Sequence, residues 1–320
     1  MEGINMVGRK VGIVGSGFVG ATAAYSLSLM GTCHEVVLYD IVPEVAIGKA
    51  IDIGQSTCYS RHGTIVTAAE KPSDMKDCDV VVITAGVPRR SEMTRADLLM
   101  INAKIMKQVV NDIKENSPNA IILVVSNPLD VMTYIALKET GWDRRRIIGM
   151  AGALDGSRMA YQINQKVGYG SGQTRAIVIG DHGQHMIPYP EISAVGGIPL
   201  DQILTKDDMN EIIERTKEGG AEIVKYLGTS AYYAPGRAIS VMVEAILDDS
   251  RVVVPSSVML EGEYGHSDVT AGVPIVLGAR GIEQIVELDL DDELKAKFQV
   301  SVDSIREGIE ILAENGFFDA

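Results

Sequence analysis

Val11-Gly12-Ile13-Val14-Gly15-Ser16-Gly17-Phe18-Val19-Gly20-Ala21-Thr22-Ala23-Ala24-Tyr25 is the stretch from which the fold can be read. A short β-branched run passes into three spaced glycines and then into residues that open a helix. In a dinucleotide-binding turn, Gly15 permits the tight bend and Gly17 lets the backbone approach a pyrophosphate. Gly20 allows close packing of helix on strand, and the helix N-terminus offers amides to the phosphates. Ser16, Phe18 and Val19 complete this loop and count with the glycines as cofactor-binding candidates. In a chain with 33 glycines such a pattern is weak by itself. Asp40 strengthens it, because it ends the next β-branched run at the offset where an acid meets the ribose hydroxyls of NAD. The competing reading is an aspartate that only stops a strand. Ile41 and Val42 follow, so no adjacent arginine is offered to a 2′-phosphate, and NAD is expected over NADP.

Outward from this loop, β-branched runs at Val11–Val14, Val36–Tyr39, Thr64–Thr67, Val80–Thr84, Ile121–Val125 and Ile147–Gly149 alternate with segments of helical period. Leu98, Ile101, Ile105, Val109 and Ile113 place one apolar stripe on a helix. Nearly all-apolar strands separated by helices predict an α/β fold with a doubly wound parallel sheet of Rossmann type over residues 1–150. Residues 151–320 read as a mixed α+β second domain. It begins with a helix over Leu154–Val167 and a strand over Arg175–Gly180. Helices at Asp207–Leu227 and Ala234–Asp248, β-rich runs at Arg251–Leu260 and Pro274–Gly278, and a final charged helix from Asp291 to about Asn315 follow.

The composition narrows the function classes. With 46% hydrophobic residues and few prolines, the chain is a globular protein rather than a disordered one. Its net charge of -14, from 29 basic and 43 acidic residues, argues against nucleic acid or an anionic membrane as partner. Cys33, Cys58 and Cys78 stand at no metal-site spacing and read as reduced thiols, which points to the cytoplasm. No segment looks like a signal peptide or a membrane span.

Three groups could carry chemistry. The run Arg175–Gly180 delivers Asp181-His182-Gly183 to a strand's C-terminal end, where an imidazole could accept the proton of a hydroxyl. A metal reading of His182 with His185 lacks the further ligands a site would need, and no metal is expected. Asp155 and Arg158, three residues apart, project from one helix face, either as a solvated ion pair or as part of a site. The loop with Arg89, Arg90 and Arg95 leaves the edge of the fourth strand where ligands bind in this architecture. In so acidic a chain it reads as an anion clamp.

Eight segments taken together resemble the family of NAD-dependent lactate and malate dehydrogenases. They are the glycine loop with Asp40, Ile83–Arg89, Thr94–Leu99, Ser126-Asn127-Pro128-Leu129-Asp130, Gly149–Gly152, Leu154–Arg158, Gly180–Gly183 and Ser230–Pro235. The resemblance implies that His182 is the proton acceptor and that Asp155 orients its imidazole. It implies that Arg158 grips the substrate's C1 carboxylate and that Arg95 polarises the reacting carbonyl from a closing loop. By the same likeness Asn127 touches both substrate and nicotinamide, and Val125, Ser126 and Asn102 contact the cofactor. Arg89 occupies the position that separates the two activities. An arginine there pairs a second carboxylate, and the small Ala231 leaves room for it, so malate and oxaloacetate are expected over lactate and pyruvate. The alternatives are lactate oxidation and a non-catalytic NAD-binding sensor. A homodimer or homotetramer is implied as well. The sequence departs from its relatives at Ser91-Glu92 and at Gln184-His185, which bears on loop closure and on pH dependence.

Overall fold

A computed structural model describes residues 8–88 and 93–318 of the chain. The first half alternates strand and helix: β1 (Lys10–Val14), α1 (Phe18–Met30), β2 (Glu35–Tyr39), α2 (Pro43–Thr57), β3 (Ile65–Ala69), β4 (Val80–Ile83), α3 (Arg95–Asn116), β5 (Ile121–Val124), α4 (Leu129–Thr140) and β6 (Ile147–Gly149). The second half holds α5 (Gly152–Val167) and five two-residue strands, β7 (Thr174–Arg175), β8 (Val178–Ile179), β9 (Ile187–Pro188), β10 (Ala194–Val195) and β11 (Ile198–Pro199). It continues with α6 (Lys206–Leu227), α7 (Tyr233–Leu247), β12 (Val252–Glu261), β13 (Ser267–Gly278), β14 (Gly281–Ile285) and α8 (Asp292–Glu314).

The six parallel strands lie in the order β3-β2-β1-β4-β5-β6, the doubly wound arrangement that the apolar runs predict. Strands β4, β5 and β6 are buried along their whole length, because helices cover both faces. The same sheet then continues past β6 with antiparallel β12, β13 and β14, giving nine strands. The helix boundaries have local causes. Thr94 and Asp97 form a reciprocal capping box that starts α3, Thr205 and Asp208 start α6 in the same way, and Asp291 caps α8. Gly31, Gly168 and Gly228 end their helices in the left-handed conformation.

Two strand expectations are corrected. The run Arg175–Gly180 is not one strand. Thr174–Arg175 pairs with β10, Val178–Ile179 pairs with β9, and the chain changes sheets between them. The run at Pro274–Gly278 is the end of a longer strand that starts at Ser267, and its small residues Ala271 and Gly272 fit where the backbone meets Gly180. Strand β14 has no counterpart in the sequence reading.

Arg144, just before β6, ties this extension down. It makes a forked pair with Glu263 at 2.7 and 3.1 Å and donates to the Met259 carbonyl at 2.9 Å. The guanidinium hydrogen bond holds the Glu263 carboxyl down from its ordinary 4.5 to about 2. A depressed carboxylate contributes stability that is present above pH 4.5 and is lost as the pH falls toward 2. Glu263→Gln is therefore expected to destabilise the protein at pH 7 by about 1 kcal/mol, after discounting for partial exposure. The difference in melting midpoint from wild type should shrink at about pH 3. An equal difference at both pH values would mean that the charge contributes nothing.

Candidate active site

The parallel strands reverse direction of winding between β1 and β4, and the candidate residues collect at the C-terminal ends of the strands around that point. Gly15 ends β1 at a φ of +99°, and a Cβ there would lie 2.7 Å from the Ala85 nitrogen. A Cβ on Gly20 would lie 1.9 Å from the Gly15 carbonyl, so α1 can start this close to the strand only with glycine. Around Gly17 the space is open. The first turn of α1 has no side-chain cap, and the buried Ser16 hydroxyl has no partner. Asp40 stands beside this turn. Its Oδ2 accepts the Ser16 amide at 2.7 Å and its Oδ1 accepts the Val42 amide at 3.0 Å. An open glycine, uncapped helix amides and an adjacent carboxylate fit a dinucleotide with its pyrophosphate on the turn and its ribose at Asp40. Phe18 stacks on Tyr232 at 5.1 Å, which joins the turn to the segment that leads into α7.

Val125, Ser126 and Asn127 follow β5. The Ser126 hydroxyl donates to the Ala85 carbonyl at 2.5 Å and braces this loop against the one that leaves β4. Asn102 is buried on α3. Its Oδ1 accepts the Val87 amide at 2.9 Å, and its Nδ2 donates to the carbonyls of Asn127 at 2.8 Å and Val87 at 3.3 Å. Both donors of this amide thus serve the protein, and Asn102 holds two ligand-side loops together.

Asp155, Arg158 and His182 meet. Asp155 is 1% exposed and bridges the other two. One carboxylate oxygen lies 2.7 Å from His182 Nδ1, and the other accepts from Arg158 Nη1 at 3.0 Å. The sequence left open a solvated ion pair at this spacing; the pair is instead buried against the imidazole. Burial pushes His182 down. The Asp155 charge and hydrogen bond, with the Asp130 charge, outweigh it, and the net direction is upward. Arg158 turns its Nη1 to Asp155 and keeps a buried Nε with no partner. Nε and Nη2 form the other edge of a guanidinium, the edge that receives a carboxylate through two parallel hydrogen bonds.

Gly219 and Gly220 of α6 lie against this side chain: a Cβ on Gly219 would stand 3.6 Å from the Arg158 Cδ and one on Gly220 3.4 Å from its Nη2, both ordinary contact distances. These glycines escaped the sequence reading. Their signal was two adjacent glycines inside a helical pattern, which destabilise a helix and so ask for a packing reason. Asp130 also escaped it, although its Oδ2 accepts the His182 backbone amide at 2.8 Å.

Arg95 lies exposed in the first turn of α3 and makes no described contact with Asp155, Arg158 or His182. Arg89 and Arg90, with Ser91 and Glu92, lie outside the described residues. Among the described residues no cluster of potential ligands could hold a metal, and no helix is long and apolar enough to cross a membrane. Cys33 and Cys78 are buried free thiols, which burial pushes up to about 12 and about 11, while Cys58 is exposed. A crevice of about 650 Å³ lies at the other end of the parallel strands, beside the N-terminal ends of β1, β4, β5 and β6. Three of its arginines are engaged, Arg9 with Asp248, Arg280 with Glu283 and Arg146 with backbone carbonyls.

Comparison with known proteins gives a consistent result. Residues 9–149 match the model of the lactate/malate dehydrogenase NAD binding domain, and residues 152–315 match that of the alpha/beta C-terminal domain of the same family. The malate dehydrogenase of Sulfurimonas denitrificans is 54% identical over 98% of both chains. The solved malate dehydrogenase of Salinibacter ruber is 39% identical with a TM-score of 0.91, covering 96% of this chain and 99% of that one. A lactate dehydrogenase from Eimeria maxima, solved with NADH and oxamate, is 37% identical with a TM-score of 0.92, covering 96% of each. The backbone alone therefore does not separate the two activities.

Proposed function

The chain belongs to the lactate/malate dehydrogenase family, and from that premise we propose that it interconverts L-malate and oxaloacetate with NAD at the site built around His182. Residues 1–150 form the cofactor half and 151–320 the catalytic half in this reading. Bound NAD supplies the hydride acceptor for oxidation, and its reduced form the donor for the reverse reaction. The protein supplies position and protons. Asp155 accepts the Nδ1 proton of His182 and so leaves Nε2 to take the proton of the substrate's 2-hydroxyl. In reduction the Nε2 proton returns to the carbonyl oxygen, and Asp155 stabilises the imidazolium meanwhile. Arg158 holds the C1 carboxylate on its Nε and Nη2 edge. Arg95 polarises the carbonyl, Asn127 touches substrate and nicotinamide, and Arg89 pairs the second carboxylate.

The observation that carries this reading is the buried, unpartnered Nε of Arg158 beside the Asp155–His182 pair. A buried guanidinium donor left without an acceptor is costly, and a carboxylate satisfies it. Arg158→Gln is expected to reduce kcat/KM for oxaloacetate by a hundredfold or more, from the loss of about 3 kcal/mol of charge-assisted binding. Wild-type kcat/KM in that variant would remove Arg158 from the substrate's path. The preference for malate over lactate is supported by the names of the relatives at 54% and 50% identity and by Arg89. A cytoplasmic homodimer or homotetramer completes the reading.

A further inference from the structure

Behind His182 lie two acids that the reaction above leaves unused. Asp130, in the first turn of α4, is buried. Its Oδ2 accepts the His182 amide at 2.8 Å, and its Oδ1 has no partner. Asp181, the residue before the base, is also buried, and its Oδ1 likewise has no partner. Several elements fix the backbone that carries the two acids. Thr270 of β13 donates to the Asp130 carbonyl at 2.7 Å. Ser301 of α8 accepts the Asp181 amide at 3.1 Å and donates to the His185 carbonyl at 2.5 Å. Gly180 is bonded in both directions to Gly272. Asp130 bonds the amide of the residue that follows Asp181, so both buried acids belong to the cluster around the base, and burial opposes the ionisation of each.

We propose that Asp130 and Asp181 act on His182 from behind, Asp130 positioning the base through its backbone amide and Asp181 tuning it by ionising. The proposal rests on the reading of His182 as the base. Burial first, then the Asp130 charge, push Asp181 up to about 7, opposed by the His185 amide and the His182 charge. Burial likewise raises Asp130, against the pull of the His182 amide. The other charged groups facing the pair are Asp155 and Arg158 of α5, and Asp155 raises both acids. As the pH rises through neutrality, Asp181 therefore gains a negative charge beside His182. That charge stabilises the imidazolium and extends to higher pH the protonated form that oxaloacetate reduction requires.

Asp181→Asn keeps the shape and fixes the neutral state. Its kcat for oxaloacetate reduction, measured from pH 6 to pH 9, is expected to fall progressively further behind wild type, with the alkaline limb about one pH unit lower. Asp130→Asn keeps an oxygen for the His182 amide, whereas Asp130→Ala removes it. The alanine variant should show a kcat about tenfold below the asparagine variant, with KM for NADH little changed. A wild-type to Asp181→Asn ratio constant across pH overturns the tuning role. Equal kcat in the two Asp130 variants overturns the positioning role. His182→Asn measured alongside separates the two levels. Retained turnover in that variant sinks the base assignment itself, whereas lost turnover with a constant Asp181→Asn ratio sinks only the pair.

Discussion

Replacing His182 by asparagine is expected to lower kcat for malate oxidation and for oxaloacetate reduction by about 10²- to 10⁴-fold, the range a positioned general base contributes. Asparagine is close in size, can still donate a hydrogen bond to Asp155, and has no titratable nitrogen. NADH affinity should stay near wild type, because the glycine turn, Asp40 and the loops braced by Asn102 and Ser126 do not touch the imidazole among the described contacts. The measurement pairs fluorescence titration of NADH with steady-state turnover. A variant that keeps more than a tenth of wild-type kcat would contradict the role given to His182.

The second large effect concerns substrate choice. Arg89→Gln is expected to lower kcat/KM for oxaloacetate by about 10²- to 10³-fold and to raise that for pyruvate by about tenfold. Two contributions act together. The arginine stabilises a carboxylate through charged hydrogen bonds, and it leaves an unpaired guanidinium when a methyl group takes the carboxylate's place. Removing the charge abolishes the attraction and relieves the penalty, so the two substrates respond in opposite directions. Ratios of kcat/KM for the two acids in wild type and variant give the answer directly, and an unchanged ratio would remove Arg89 from the specificity argument.

Local patterns made the cofactor half legible. The strand, the spaced glycines and Asp40 lie within thirty residues of one another, and each owes its place to backbone sterics or to the reach of one ribose. All-apolar strands gave the parallel order in outline. Asp155 and His182 were legible as separate motifs, but neither spacing nor periodicity places residues 27 positions apart in contact. The resemblance to a family supplied that pairing. Asp130 was harder to read, because its partner is a backbone amide 52 residues away and a backbone amide has no letter in a sequence. The broken run at Thr174–Ile179 misled for the opposite reason. Its β-branched residues fit an extended chain equally well whether they pair with one neighbour or, as here, with β10 and then β9. Gly219 and Gly220 read as a flaw in α6 until the Arg158 side chain is seen beside them. Backbone similarity did not help with substrate choice, since malate and lactate dehydrogenases superpose on this chain equally well.

In the proposed function this site reduces a 2-oxo dicarboxylate with NADH. Its most direct test is NADH oxidation by the wild-type protein with oxaloacetate and with pyruvate, side by side. A kcat/KM for oxaloacetate at least about a hundredfold above that for pyruvate is the expected result, given one additional charged pair. Equal or higher efficiency with pyruvate would contradict the dicarboxylate assignment, and no oxidation with either acid would return the chain to a binding role.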